Sequence, residues 1–405
     1  MMTDWTGLGG LDARGATQFR VLQCIRMTKE ISRTDIARTL DSSPATVTAA
    51  CGALLEGGFI QEVERAPSDL VQRGRPRVML QINGDAFHVA GMKIARHAIL
   101  AMIVNSRGDE IGTYTQPLAA SRMTAEDLVR EVRRALDAAC LACGLSIDRI
   151  AGVVLGMPGF VNGVTRFMHW SSSVIERNVE FSPLFEDHLP CPTFIDNDAN
   201  LVAKAEHLFG AGRGLRNFLV VTVEHGVGMG IVLDGELYRG ERGCGAEFGH
   251  TKVQIEGALC QCGQRGCLEA YVGDYAMVRD AATGRVGEGP SSIPEILQAA
   301  RQGDTLAHDV LERAATFLGV ALANLVNLFD PEHIVLARSR PPFDPPYPEI
   351  MLDALRRNTV QVDAPLPPIT VRNLDESMWA KGAAAHGIEM VSILRIREQG
   401  SADAA

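Results

Sequence analysis

Three cysteines and one histidine lie within 18 residues of the sequence: His250, Cys260, Cys262 and Cys267. Thiolate sulfur and imidazole nitrogen are ligands that zinc prefers, and a set of three cysteines and one histidine is typical of a closed tetrahedral site. Because four protein ligands leave no position for a reactive water, the spacing predicts a structural zinc ion, Zn2+, that orders the neighbouring Glu247 and Glu269. The alternative is that these are ordinary buried thiols of a reduced protein. The crowding of the cysteines, with Gly263 and Gly266 between them, favours the metal.

The length and composition of the chain indicate a globular protein of more than one domain. Its 405 residues exceed what one hydrophobic core organises, so we expect two or three domains. The amino terminus has no basic segment followed by an apolar run, and no apolar stretch reaches the ~18–20 residues that a membrane span needs. We therefore expect no signal peptide and no membrane partner. Nine cysteines in a chain of this length indicate a reduced, cytoplasmic protein.

The charge is unevenly distributed along the chain. The net charge of −10 argues against a protein whose whole surface attracts nucleic acid. Residues 1–85 carry ten basic and ten acidic side chains, so the acidic excess lies in the rest of the sequence. Any contact of the amino-terminal segment with DNA must therefore come from a local face.

Residues 1–84 have the pattern of a winged helix-turn-helix domain. After a first helical stretch over residues 16–29, a short helix is predicted to begin with Ser32 as its N-cap and Asp35 three positions later. A second short helix is predicted to begin with Ser43 as its N-cap and Pro44 at its first position, and to end at Gly57. Two short helices joined by a tight turn are typical of a helix-turn-helix.

The wing is predicted from two alternating segments, residues 59–64 and 77–82, joined by a polar loop. Short side chains on the second helix could approach base edges in the major groove, and the arginines at the end of the wing could enter a minor groove. The alternative is a helical hairpin that packs against the next domain, but the cap, turn and wing in register favour DNA binding. The candidate DNA contacts are Ser43, Ala45, Thr46, Thr48, Arg73 and Arg75.

From residue 85 the pattern changes to that of an α/β domain. Three consecutive strands are followed by an amphipathic helix over 125–143 and by a nearly all-apolar strand over 150–157. Two motifs, Gly156-Met-Pro-Gly and Asp196-Asn-Asp-Ala-Asn, follow the ends of buried strands, where ligands bind in such domains. A carboxylate at this place could accept hydrogen bonds from sugar hydroxyls or act as a base. The alternative is that Asp196 and Asp198 cap the following helix, and both interpretations are compatible.

The segment that begins at Glu247 resembles the zinc motif of the ROK family, which groups sugar kinases with sugar-responsive repressors. In that family the block reads roughly Gly-Glu-hydrophobic-Gly-His, nine residues, then Cys-x-Cys-Gly-x-x-Gly-Cys-x-Glu. This chain matches every fixed position from Glu247 onward and departs at Gly245-Ala246, where many members have Ala-Gly. The stretch Asn197-Asp198-Ala-Asn is also similar to a family motif, in which the aspartate takes a proton from the sugar hydroxyl.

The resemblance implies an α/β fold: a two-lobed, actin-like body of the sugar kinase and Hsp70 type, with the winged helix-turn-helix in front. We expect the first lobe over 85–200 and the second lobe, with the zinc block, over 201–377. A final helix over 378–397 is expected to return to the first lobe. The family's repressor branch has Gly-Arg-Pro at the end of the wing, which implies a DNA contact for Arg75. The sugar site implied by the resemblance consists of Gly159, Asn197, Asp198, Glu247, His250 and Glu269.

The nucleotide motifs of the family's kinases are altered in this chain. The kinases begin the body with Asp-x-Gly-Gly-Thr, where this chain has Lys93-Ile-Ala-Arg-His97. A second phosphate loop, Gly-Thr-Gly-x-Gly, corresponds to residues 224–228, which begin with Glu224. The glycine pair that approaches adenosine corresponds to Ala337-Arg338. Because phosphoryl transfer depends on backbone amides placed close to the phosphates, these three changes predict a protein that binds sugar without phosphorylating it.

The sequence therefore predicts a sugar-responsive transcriptional repressor rather than an enzyme. Its expected partners are operator DNA, a sugar or sugar phosphate bound between the lobes, and a second copy of the chain in a homodimer or higher even oligomer. The alternative is an ATP-dependent sugar kinase with a fused DNA-binding head, because Asp198, the equivalent of the kinase base, is retained. A third hypothesis is a DNA-tethered interaction module that binds no sugar.

Overall fold

The computed structural model describes residues 11–63, 78–284, 289–338, 346–360, 365–373 and 377–402. The chain divides into two compact units. Unit 1 consists of Met1–Leu208 and Trp379–Ala405, and unit 2 consists of Phe209–Met378. The domain boundaries at residues 84 and 200 remain predictions, since unit 1 contains both the amino-terminal domain and the first lobe.

The amino-terminal domain begins with three helices, which are α1 (Ala13–Thr28), α2 (Arg33–Thr39) and α3 (Pro44–Glu56). The predicted caps are confirmed. Ser32 Oγ accepts a hydrogen bond from the Asp35 amide, Ser43 Oγ accepts one from the Thr46 amide, and Gly57 is the C-cap of α3. Buried residues of all three helices share one core, in which Ile25, Ile36 and Leu54 are fully buried.

Three short strands complete this domain: β1 (Ile31–Ser32), β2 (Ile60–Val63) and β3 (Met79–Ile82). They pair antiparallel in the order β1-β3-β2, so the two predicted wing strands are neighbours, as in a winged helix-turn-helix. Residues 64–77, which include Arg73 and Arg75, lie outside the described residues.

A larger sheet forms the rest of unit 1. The strands after the wing are β4 (His88–Ile94), β5 (Ala98–Asn105), β6 (Glu110–Pro117), β7 (Ile150–Met157), β8 (Phe160–Asn162), β9 (Phe167–Trp170), β10 (Val179–Glu180) and β11 (Thr193–Asn197). Five of them form a sheet in the order β11-β7-β4-β5-β6, in which β4, β5 and β6 are an antiparallel meander and β7 and β11 run parallel to β4. Both predicted ligand motifs follow the carboxyl ends of its parallel strands.

The remaining elements of this part are three helices and a small sheet. The helices are α4 (Ala125–Ala142), α5 (Ser182–His188) and α6 (Asp198–Phe209). The small sheet β10-β9-β8 and helix α5 lie in a segment for which the sequence predicted no element. Their strands are two to four residues long, which is too short to show an alternating pattern.

Unit 2 is built on a second five-stranded sheet. Its strands are β12 (Phe218–Val223), β13 (Val227–Leu233), β14 (Glu236–Tyr238), β15 (His333–Arg338) and β16 (Ile369–Asn373). Their order is β14-β13-β12-β15-β16, with antiparallel hairpins on one side and parallel strands on the other. An Asp-Gly pair is typical of a tight hairpin bend, so the sequence predicts one at Asp234-Gly235. In the structure this bend joins β13 to β14, and both residues have positive φ angles, 52° and 81°.

The described residues of unit 2 form five α-helices: α7 (Glu269–Val272), α8 (Asp274–Ala282), α9 (Ile293–Arg301), α10 (Thr305–Phe329) and α11 (Tyr347–Asn358). The sequence Asp330-Pro331 predicts the end of the long helix, because proline cannot continue it. This prediction is confirmed, since Asp330 ends α10 in a left-handed conformation. The proline-rich sequence over residues 340–348 predicts an extended surface loop as far as Pro348. That boundary was wrong, since α11 begins at Tyr347 and proline is tolerated in the first turn of a helix. Residues 339–345 of this segment lie outside the described residues.

The last helix, α12 (Ser377–Ala402), passes through the interior of unit 1. A Cβ atom on Gly91 of β4 would lie 2.1 Å from the Ala380 carbonyl oxygen, and one on Gly382 would lie 2.0 Å from the Leu201 carbonyl oxygen. Only glycine fits at these two crossings, so α12 lies in direct contact with the sheet and with α6. None of the described helices is long and apolar enough to cross a membrane.

Candidate functional site

The predicted zinc ligands come together in unit 2. Nδ1 or Nε2 of His250 and the sulfurs of Cys260, Cys262 and Cys267 lie within 4.8 Å of one another. Zinc bond lengths in a regular tetrahedron separate two sulfurs by about 3.8 Å and a sulfur and a nitrogen by about 3.6 Å. The Cys262 and Cys267 sulfurs are 3.8 Å apart, and the Cys260 sulfur is 3.6 Å from His250 Nδ1. The donor set therefore fits a tetrahedral metal ion in both ligand type and spacing.

The loop that carries the thiols is held by its own backbone. Val253 N–H donates to the Gly266 carbonyl oxygen at 2.9 Å, and the Ala258 amide donates to the Tyr271 hydroxyl at 2.6 Å. Gly266 has a φ of 76°, and a Cβ atom there would lie 1.8 Å from the Gln254 carbonyl oxygen. This explains why glycine stands between the second and third cysteines.

Glu269 contacts the candidate metal centre, formed by His250 and the three cysteines, through Cys260. It is the first residue of α7, two positions after Cys267. One carboxylate oxygen is 3.4 Å from the Cys260 sulfur and 3.5 Å from the Tyr275 hydroxyl, while the other accepts from the Val227 amide at 3.2 Å. Burial raises the pKa of the Tyr275 hydroxyl, and the nearby Glu269 raises it further. The sequence does not indicate a role for Tyr275, because a single tyrosine on a helix after the motif carries no spacing signal.

His250 links the metal centre to Glu247. Its Nδ1 atom faces the Cys260 sulfur, whereas its Nε2 atom is 4.0 Å from a carboxylate oxygen of Glu247. Side chains of both residues are partly exposed, at 21% and 38%. A histidine in this arrangement can bind a metal through one nitrogen and present the other to a polar ligand.

The predicted site residues of unit 1 also lie close together. Asn197 donates from Nδ2 to the Gly159 carbonyl oxygen at 2.9 Å and accepts the Ala199 amide on Oδ1 at 2.9 Å. Gly159 has a φ of 113°, and a Cβ atom there would lie 2.3 Å from the Trp170 carbonyl oxygen. Asn197 therefore caps α6 and fixes the turn that follows β7.

The two aspartates of this motif have different environments. Asp196 is completely buried and accepts hydrogen bonds from the Asn197 amide and the Asn200 side chain, which makes it a structural residue. Asp198 is half-buried and accepts the Ala199 amide on one oxygen at 2.9 Å. The sequence left open which aspartate caps the helix, and the structure assigns the cap to Asn197 and Asp198 together.

The recognition-helix candidates lie on one exposed face of α3. Ser43, Ala45, Thr46 and Thr48 are exposed, whereas Val47 is fully buried. The hydroxyls already have partners within the helix: Thr46 Oγ1 is 2.8 Å from Ser43 Oγ, and Thr48 Oγ1 donates to the Pro44 carbonyl oxygen at 2.7 Å. This face is therefore composed of small side chains with internally satisfied hydroxyls.

Comparison with known proteins identifies both parts of the chain. A sequence model described as "ROK family" matches residues 89–386, which is most of the chain. The chain belongs to the ROK family. A model described as "MarR family" matches residues 16–69, the segment that forms the helix-turn-helix. The predicted family and the predicted amino-terminal domain are confirmed.

Several ROK relatives are repressors. The chain is 29% identical to the DNA-binding transcriptional repressor Mlc of Escherichia coli over 319 residues, which cover 76% of each protein. It is 27% identical to the xylose repressor of Caldicellulosiruptor bescii over 347 residues, covering 83% of this chain and 85% of that protein. A crystal structure of a ROK transcriptional regulator, a homologue of E. coli Mlc, covers 95% of this chain with a TM-score of 0.76 and 25% identity, and 99% of that structure is matched.

The family also contains kinases, and they match the body alone. The ROK hexokinase of Thermus thermophilus matches over 98% of its own length but over only 74% of this chain, with 29% identity and a TM-score of 0.63. These structures confirm the predicted sugar-kinase-like body. The repressor relatives agree with the prediction of a regulator rather than an enzyme.

The positions of the kinase nucleotide motifs carry charged side chains with local partners. Lys93 is buried at the end of β4, and its Nζ atom lies 3.5 Å from the centre of the Trp379 ring. Arg338 is buried at the end of β15, 3.9 Å from Asp274, whose amide donates to the Glu224 carbonyl oxygen. Burial lowers the pKa of Arg338 while Asp274 raises it. These contacts give the altered residues structural roles within their own units.

Proposed function

We propose that this chain is a sugar-responsive transcriptional repressor of carbohydrate genes that acts in the cytoplasm as a dimer or higher even oligomer. The proposal rests on one observation: a helix-turn-helix domain and a ROK body lie in the same chain. The nucleotide positions of that body hold Lys93 and Arg338. The solved ROK transcriptional regulator supports this proposal, because it covers 95% of this chain and so includes most of the amino-terminal domain as well as the body.

The effector is a sugar or sugar phosphate, and each unit carries polar side chains that could bind it. In unit 1 these are Asn197 and Asp198, with the backbone at Gly159. In unit 2 the set is Glu247, His250 and Glu269. Carboxylates, an amide and an imidazole can each donate to or accept from the hydroxyl groups of a polyol. The hydrogen bonds around Glu269 and the turn at Gly159 support this assignment, because they fix the side chains before a ligand arrives.

The metal centre holds zinc and has a structural role. His250 Nδ1 and three thiolates would be its ligands, and the bound ion would keep the cysteines deprotonated. Its contribution to the sugar site is indirect, since it fixes His250 between the metal and Glu247 and orders the residues before Glu269.

Operator DNA is bound by α3 through the face formed by Ser43, Ala45, Thr46 and Thr48. Because the hydroxyls of the threonines have partners inside the helix, their methyl groups are the outward recognition atoms. Methyl groups of this kind contact the 5-methyl group of thymine in the major groove. Arg73 and Arg75 are proposed to bind the adjacent minor groove, as predicted from the sequence.

Thermal unfolding of the full chain against a panel of sugars and sugar phosphates tests the effector proposal. A ligand that binds only the folded protein raises the unfolding midpoint. At a concentration of one hundred times its dissociation constant, it adds about 2.7 kcal/mol to the free energy of unfolding. The midpoint shift should be lost in Glu247→Gln and kept in Glu241→Gln, an exposed glutamate nearby. The active sugar should also change the affinity for operator duplexes that the protein selects from a random pool.

Two outcomes would contradict the proposal. A chain that responds to no sugar would lack the effector site, although its DNA-binding domain could still be active. Release of ADP above background with ATP, magnesium and a hexose would instead make the protein a kinase with a DNA-binding head.

A further inference from the structure

The backbone of the metal loop places Lys252 opposite Cys267. The two residues form an isolated antiparallel bridge. Two backbone hydrogen bonds of 2.9 Å flank the bridge, and they join Val253 to Gly266 and Leu268 to Thr251. In a bridge of this kind the two facing residues are not hydrogen-bonded to each other through their backbones, and their side chains lie close together. The side chain of Lys252 therefore starts beside that of Cys267.

The end of the Lys252 side chain contacts the Cys267 sulfur. Its Nζ atom donates to Sγ of Cys267 at 3.0 Å and to Oε1 of Gln264 at 2.6 Å. The backbone of Gln264 is itself fixed, because its carbonyl oxygen accepts the Cys260 amide at 2.8 Å. Lys252 is exposed, whereas Cys267 is fully buried. An exposed ammonium group thus contacts a buried candidate ligand atom, and a second residue of the same loop holds it there.

The charge of Lys252 is opposite to that of the occupied metal centre. Zinc bound by three thiolates and one neutral imidazole has a net charge of minus one. A carboxylate oxygen of Glu269, 3.4 Å from the Cys260 sulfur, adds further negative charge nearby. A hydrogen bond from a cation to a thiolate is charge-assisted and draws negative charge from the sulfur. Lys252 is therefore placed to offset the charge of the thiolates.

We propose that Lys252 is a positioning residue of the metal centre, which balances the charge of the zinc-bound thiolates through its hydrogen bond to the Cys267 sulfur and thereby slows the release of zinc. The inference rests on the zinc site of the proposed function. Loss of a hydrogen-bond partner of a metal ligand typically weakens metal binding by about 10–100-fold. We expect about tenfold here, because Lys252 is exposed and solvent screens its charge.

The rate at which zinc leaves the full chain tests this role. Zinc-loaded protein is mixed with an excess of a coloured zinc chelator, and the transfer is followed by absorbance. Lys252→Met removes the charge and the donors from a side chain of similar length, while Lys252→Arg keeps both. Arg265→Met is the matched control, because it removes a positive charge from an exposed position of the same loop, where Nη1 donates to the Gly257 carbonyl oxygen. Unfolding midpoints establish that each variant folds.

Zinc should leave Lys252→Met about tenfold faster than the wild type, and Lys252→Arg and Arg265→Met should stay within about twofold of the wild type. A folded Lys252→Met that holds no zinc, beside two other variants that do, would be the same effect in a stronger form. Release from Lys252→Met at the wild-type rate would overturn the inference and leave the zinc site in place. Equal acceleration in Arg265→Met or Lys252→Arg would also overturn it. A wild type that holds no zinc would overturn both the inference and the proposed zinc site.

Cobalt(II) in place of zinc gives a second readout, which reports on the sulfur atoms rather than on stability. Cobalt binds the same nitrogen and sulfur ligands, and it absorbs light when charge moves from thiolate sulfur to the metal. Loss of the Lys252 hydrogen bond raises the energy of the sulfur electrons, so this absorption band should move to longer wavelength in Lys252→Met. The band should not move in Arg265→Met. An unshifted band in Lys252→Met, or an equal shift in Arg265→Met, would contradict the inference.

Discussion

Removal of zinc from the candidate site should lower the free energy of unfolding of unit 2. An ion that binds only the folded protein contributes about 2.7 kcal/mol at one hundred times its dissociation constant and about 4.1 kcal/mol at one thousand times. Unit 2 spans Phe209–Met378, a size at which 1 kcal/mol shifts the unfolding midpoint by about 2–4 °C. We therefore expect the midpoint of unit 2 to fall by about 5–16 °C when zinc is removed.

The loss should depend on the four ligands and not on thiols in general. Cys262→Ser replaces a half-buried ligand whose sulfur is 3.8 Å from that of Cys267, and it should reduce the zinc content from one ion per chain to a small fraction. Cys244→Ser changes another half-buried cysteine of the same unit, outside the cluster, and should keep its zinc. Metal analysis and thermal unfolding with and without a chelator measure both effects.

Two results would refute this reasoning. Full zinc content in Cys262→Ser would mean that the four donors do not form the site. An unfolding midpoint that does not change when zinc is removed from the wild type would mean that the loop of residues 250–267 is held by its own hydrogen bonds, such as the one between Val253 and Gly266.

Two further predictions concern the DNA-binding face and the interior of unit 1. Uracil in place of an operator thymine that α3 contacts should weaken DNA binding about fourfold, since one methyl contact with Thr46 or Thr48 is worth about 0.8 kcal/mol. Titrations of the two duplexes measure the effect, and an unchanged dissociation constant would contradict the methyl contacts. Burial and the nearby Arg149 lower the pKa of His88 from 6.5, so the unfolded chain binds more protons and stability falls as pH drops below 6.5. His88→Leu should therefore make the unfolding midpoint less dependent on pH between about 5 and 7, and an unchanged slope would contradict this assignment.

Much of the local structure could be predicted because it depends on neighbouring residues. Ser32 and Ser43 cap their helices through amides three positions away, and Asp234-Gly235 forms a two-residue bend whose backbone angles few other residues adopt. The segment over 150–157 reads as a buried strand because nearly every side chain in it is apolar. In each case the signal and the structure lie within the same few residues.

Other features could not be predicted because they depend on contacts that no short sequence pattern indicates. The strands β8, β9 and β10 are too short for a pattern, and they form because each pairs with a neighbour. Tyr275 reaches Glu269 only because α7 and α8 follow each other at a bend. Lys204 and Glu389 form an ion pair although they are 185 residues apart, so neither sequence segment indicates that the other exists.

The sequence by itself determined the family, the helix-turn-helix and the four candidate metal ligands, because each depends on residue types at fixed, short spacings. Only the tertiary structure decided which other groups these residues contact. It brought the four candidate ligand atoms within 4.8 Å of one another, gave Asp196 a structural role beside Asp198, and brought Glu389 to Lys204. The physical reason is that hydrogen bonds and ion pairs form between whichever groups packing brings together, and packing is settled by the whole chain.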